Sequence, residues 1–141
     1  MATIKKFEDL EMWRKSRILC NEIFEIINSE KFSKDYKLKD QINGSSGSVM
    51  DNIAEGFERG SRLEFLNFLS IAKGSAGEVK SQLYRSVDRK YINNSKFNEL
   101  YTLAEEISKM TGTFMNYLNK SNIKGTKFKD RTGNSKLETQ N

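Results

Sequence analysis

Gly44-Ser45-Ser46-Gly47-Ser48 and Gly74-Ser75-Ala76-Gly77 decide the fold. Each block interrupts an apolar pattern of helical spacing. Around the first, the stripe runs Leu38, Ile42, Ser45/Ser46, Val49, Ile53 and Phe57. Around the second it runs Phe65, Leu69, Ala72, Ala76, Val79, Leu83 and Val87, widened by Phe68. Steps of three and four residues return to one face of an α-helix. Glycine inside a helix costs about 1 kcal/mol relative to alanine, so both blocks need a compensating contact. Two helices over residues 37–59 and 61–90, joined at Arg59-Gly60-Ser61, supply one. A hairpin folded about Gly60 sets residues 44–48 opposite residues 72–76. The expected role of Gly44, Gly47, Gly74 and Gly77 is then close helix packing, with weak Cα–H···O contacts. A phosphate cradle would need a strand before the glycines and a lysine after them, and the first block has neither.

Working outward, Ser61-Arg62-Leu63-Glu64 has the form of a capping box that starts the third helix. A first helix is expected over residues 7–28, with Leu10, Trp13, Cys20, Phe24 and Ile27 in one row and Met12, Leu19, Ile23 and Ile26 in a second. A loop over residues 29–36 follows. Asn93-Asn94-Ser95 leads to a fourth helix over residues 96–118, with Phe97, Leu100, Tyr101, Leu103, Ala104, Ile107, Met110, Phe114, Met115 and Leu118. The apolar arcs of the first and fourth helices are each about 200° wide, more than a simple surface helix buries. The 141 residues contain no proline to interrupt such helices. Short links between four helices predict an all-α fold, an antiparallel up-down four-helix bundle over residues 1–118. Residues 119–141 are polar and are expected to form a basic, disordered tail.

Charge and chemistry narrow the function. The net charge is +5. Residues 119–141 carry six basic against two acidic groups, so the remaining 118 residues are nearly neutral. There is no histidine. Ser-His-Asp and Cys-His sites are excluded, as are di-iron bundles built on Glu-x-x-His pairs. No catalytic residue, cofactor or metal set is expected. The single cysteine, Cys20, lies in an apolar stripe and reads as a buried free thiol. The N-terminus lacks a signal-peptide pattern, and no apolar run reaches the roughly 20 residues of a membrane span. A soluble, cytoplasmic protein is expected, with no membrane partner.

Leu10-Glu11-Met12-Trp13, Gln41-Ile42, Asn52-Ile53-Ala54-Glu55-Gly56, and the run Glu64-Phe65-Leu66-Asn67-Phe68-Leu69-Ser70-Ile71-Ala72-Lys73-Gly74-Ser75 followed by Glu78, Gln82 and Leu83 carry a resemblance. Over about residues 7–118 the chain resembles the bacterial four-helix-bundle family of 23S rRNA intervening-sequence proteins. The accessory variability proteins of diversity-generating retroelements belong to the same family. The resemblance implies a homopentameric barrel, and for retroelement members binding of nucleic acid and a reverse transcriptase. The nearly neutral body departs from those members.

Candidate residues fall into two groups. Arg59, Arg62, Arg85, Arg89 and Lys90 read either as phosphate contacts, repeated around a closed ring, or as an ordinary solvated face. Asn52, Glu55, Glu64 and Glu78 read as structural polar groups, hydrogen-bonding at helix ends or across subunits, rather than as an acid–base pair. The wide arcs on the first and fourth helices are expected to be covered by other copies of the chain. The overall expectation is a non-enzymatic, homo-oligomeric adaptor that binds RNA or DNA alongside a reverse transcriptase or rRNA. The alternative is a protein-only scaffold with a protein partner.

Overall fold

The computed structural model describes residues 3–121. Among them there are four α-helices and no strand: α1 (Glu11–Ile27), α2 (Tyr36–Glu58), α3 (Arg62–Asp88) and α4 (Asn94–Ser121). Short 3-10 turns precede α1 (Phe7–Asp9) and α2 (Phe32–Lys34). One core runs through all four helices, and α2 with α3, α3 with α4, α1 with α2, and α1 with α4 are in contact.

Helix starts follow local hydrogen bonding. The Asp9 carboxylate accepts from the amides of Lys5 and Lys6, at 2.9 and 3.2 Å. Leu10 is then extended, so α1 begins at Glu11 instead of Phe7. Asp35 caps α2 by accepting from the Leu38 amide at 3.2 Å. Ser61 caps α3 by accepting from the Glu64 amide at 3.3 Å. The expected capping box is only half formed, because the Glu64 carboxylate turns to Arg59 at 3.5 Å. Asn93 accepts from the Lys96 amide at 2.8 Å, so α4 starts at Asn94 and runs on to Ser121. The helix thus runs three residues past its expected end at Leu118, and residues 122–141, most of the expected tail, lie outside the described residues.

The stripe of α2 is buried at every expected position: Leu38, Ile42, Ser45, Ser46, Val49, Ile53 and Phe57. In α3, Phe65, Leu69, Ala72, Ala76, Val79 and Leu83 are buried, and Val87 is packed against the core. Each large side chain buried in this way stabilises the fold by about 1.5–3 kcal/mol. Phe24 breaks the expected α1 row, being 62% exposed. Phe32, in what the sequence presented as loop, is fully buried against Tyr91 with ring centroids 4.9 Å apart.

The small-residue blocks do meet, but through their serines. The hydroxyls of Ser48 and Ser75 lie 2.8 Å apart. Ser45 bonds the carboxamide oxygen of Gln82, and Arg85 donates to Gln41 at 3.2 Å. These partners lie further along α3 than a symmetric hairpin about Gly60 predicts, because Gln82 and Arg85 are long side chains that reach along the helix. The expected packing role of the four glycines is corrected here. A Cβ built on Gly44, Gly47, Gly74 or Gly77 meets nothing within 4 Å. Gly44 lines the open groove beside this seam, so an added methyl there would point into open space and not against α3. The glycine that permits close approach is Gly56, whose Cβ would lie 2.6 Å from the Cβ of Phe68 and 2.9 Å from the Phe65 ring.

Candidate functional site

The five candidate basic residues do not share a surface. Arg62 opens α3 and Arg85 lies in its last turn. Twenty-three residues at about 1.5 Å each separate them by roughly 35 Å. Arg59 pairs with Glu55 at 3.1 Å and Glu64 at 3.5 Å, with its guanidinium 4.9 Å from the Phe68 ring centre. Arg62 makes no ion pair with a described residue.

At the other end, Arg89 donates to Asp35 at 2.9 Å, and the Tyr91 hydroxyl donates to the same Asp35 oxygen at 2.8 Å. The Tyr91 hydrogen bond, then the Leu38 amide and Arg89, hold the Asp35 carboxyl below its ordinary range. The same bond pushes the Tyr91 phenol up. This cluster ties the start of α2 to the end of α3. The one trace of this cluster in the sequence is Asp35 itself, an aspartate before an apolar-periodic segment, which is a helix-start signal. Lys90 has φ 62, the left-handed conformation. Its amide donates to the Val87 carbonyl and the Tyr91 amide donates to the Ser86 carbonyl, both at 3.0 Å. That pattern is a Schellman closure of α3, a position that glycine usually fills.

The structural polar candidates also divide. Asn52 joins the α2–α3 seam, donating to the carbonyl and hydroxyl oxygens of Ser48 at 2.8 and 2.9 Å. Glu55 and Glu64 are exposed partners of Arg59. Glu78 lies on an open groove of about 440 Å³ between α2 and α3, beside Ser45, Ser48, Gln82 and Arg85. Cys20 is half-buried, donating its thiol to the Ser46 carbonyl at 3.2 Å. Burial pushes that thiol up.

A second groove, of about 740 Å³, lies between α3 and α4. Lys73, Lys80 and Lys109 line it with Glu105. Lys80 meets Glu105 at 2.6 Å, and its ammonium lies 5.5 Å from the Tyr101 ring centre. Lys80 first, with lesser contributions from Lys109 and Lys73, holds the Glu105 carboxyl below its usual range. None of these residues was chosen from the sequence. The available signal was lysines at positions 73 and 80, one helical face apart by seven residues.

Among the described residues no group of three or more His, Cys, Asp or Glu side chains could hold a metal ion. No helix among them is long and apolar enough to cross a membrane.

Four helices around one core, with polar and basic grooves between them, define a four-helix-bundle protein. The chain belongs to the 23S rRNA-intervening sequence protein family, whose profile matches residues 8–113. It is similar to a solved structure from Bacteroides thetaiotaomicron VPI-5482, described as a protein with unknown function from the S23 ribosomal protein family. The two share 25% identity over 74% of this chain and 97% of that one, with a TM-score of 0.68. No curated protein matches the chain.

Proposed function

We propose that the chain is a non-enzymatic adaptor. Each subunit is an antiparallel up-down bundle, and copies assemble into a closed, pentameric ring that binds RNA or DNA in the cytoplasm, alongside rRNA or a reverse transcriptase. The observation that carries the assembly is the exposure of large apolar side chains on the outside of the subunit. Phe24 on α1 is 62% exposed, and Leu63 and Ile71 on α3 are 58% and 51% exposed. These side chains give the subunit apolar contact points on both α1 and α3, and symmetric self-association is the common way for copies of one chain to use such points. The antiparallel arrangement is supported by the α2–α3 bonds, whose α3 partners fall in number as the α2 residue rises: Gln41 with Arg85, Ser45 with Gln82, Ser48 with Ser75. The family's association with 23S rRNA intervening sequences supports the nucleic-acid limb.

Light scattering tests the assembly. A mass well above the 16.3 kDa chain is expected, and Phe24→Glu with Ile71→Glu should return it to that value. A monomeric wild-type protein would overturn it. Binding to RNA and DNA across a salt series, with and without residues 122–141, tests the nucleic-acid limb. Affinity should fall steeply with salt.

One observation favours a protein-only scaffold instead. Arg59, Arg85 and Arg89 each already have a partner inside the chain. Oligomer that binds neither RNA nor DNA would select that reading.

A further inference from the structure

We infer that the α3–α4 groove is a docking channel for the phosphodiester backbone of a single-stranded nucleic acid, with Lys73, Lys80 and Lys109 as its cationic contacts. The inference rests on the nucleic-acid limb of the adaptor reading and assigns it to a surface other than the arginines. Three lysines face the groove against one carboxylate. Only Lys80 is neutralised, by Glu105; Lys73 and Lys109 make no ion pair with a described residue. Glu105 is acidified by all three ammonium groups. The Lys80 contact dominates that effect, and Lys109 and Lys73 add to it, so all three ammonium groups lie close enough to act on one anionic group in the groove.

The groove opens to solvent along its length, so a strand can lie in it without α3 and α4 separating. Gly112 keeps the floor open. A Cβ there would lie 3.3 Å from Cε of Lys73, so the absence of a side chain lets Lys73 lie across α4. Asn116 and Asn119 extend the wall with hydrogen-bonding groups toward the end of α4 at Ser121. Beyond that point the sequence adds Lys124, Lys127, Lys129, Arg131 and Lys136 against Asp130 and Glu138. The sequence that follows α4 therefore carries more of the same charge. Glu105 occupies the Lys80 ammonium at 2.6 Å, so removing that carboxylate would leave the charge to an incoming phosphate.

The test uses the full chain and a single-stranded RNA and DNA of about 20 nucleotides, with binding measured from low to high salt. Each lysine–phosphate contact on a single strand contributes about 0.7 to the slope of log affinity against log salt. Lys73→Gln with Lys109→Gln should flatten the slope by about 1.4 and weaken binding about 25-fold at 0.1 M salt. Glu105→Gln should act in the opposite direction and tighten binding. Helicity by circular dichroism, unchanged in all three proteins, separates contact loss from unfolding. If the wild type binds and the lysine pair changes nothing, or Glu105→Gln weakens binding, the groove is overturned. If the loss appears instead in Arg62→Gln or Arg85→Gln, the adaptor reading survives without the groove. If the wild type binds neither strand at any salt, both fall together.

Discussion

Gly56 lets α2 approach Phe68 of α3 so closely that a Cβ added to the glycine would stand 2.6 Å from the phenylalanine Cβ. Neither backbone can yield there without moving α2 against α3. Gly56→Ala is expected to destabilise the fold by about 1–3 kcal/mol, the usual cost of overpacking. Gly44→Ala and Gly74→Ala meet nothing within 4 Å. Each should stabilise the isolated subunit by up to about 1 kcal/mol through helix propensity. Urea unfolding of the three variants checks the contrast, which disappears if all glycines behave alike.

Asp35 gives the acid dependence. Its folded-state value is lowered from 3.8, so its contribution is complete above that value and is lost as pH falls through the lower folded one. Asp35→Asn keeps a capping oxygen but loses the charge that receives Arg89 and Tyr91. The wild type should be the more stable near neutral pH. The two should converge as pH falls from about 5 toward 2. Thermal melts across that range check the sign; parallel curves would contradict it. Asp35→Ala, which also removes the cap, should cost a further amount of about 0.5–2 kcal/mol.

Lys90 serves the backbone. Glycine adopts its φ of 62 freely, whereas a residue with a Cβ is strained there. Lys90→Gly should raise stability by about 0.5–1 kcal/mol after allowing for the looser unfolded chain. Any nucleic-acid affinity should be unchanged by it. A drop in affinity would instead assign the ammonium to phosphate.

Cys20 should be slow to react. Its thiol is half-buried, bonded to the Ser46 carbonyl and pushed up by burial, so little thiolate is present at neutral pH. Alkylation by iodoacetamide should be far slower in the folded protein than in urea. Equal rates would mean that α1 opens readily from α2.

The helical architecture was legible because its signals are redundant. On α2, seven stripe positions agree on one face, and the small residues among them left no other partner than the equally small block on α3. Ser48 and Ser75 realise that match. The glycines misled because they carry no side chain to place. Gly44 sits two positions from Ile42, and Gly74 two from Ala72 and Ala76, which already put both off the buried stripes. Phe24 misled for the reverse reason. It extends an arc wider than the neighbouring helices can cover, and periodicity cannot say where a subunit ends. Phe32 and Tyr91 pack together across 59 residues of chain, a pairing no local pattern contains. The lysine groove was illegible because its three cations come from two helices whose relative rotation only the folded core sets.

The seam between α2 and α3 is fastened by hydroxyls, with Ser45, Ser48 and Ser75 at its centre. Short side chains have few rotamers to surrender, and only Arg59, Gly60 and Ser61 separate the two helices. Closing this pair therefore sacrifices less disorder than closing any other in the molecule. The α2–α3 pair should be first to assemble as the chain folds and last to admit deuterium at its amides, with α1 and α4 laid on afterwards.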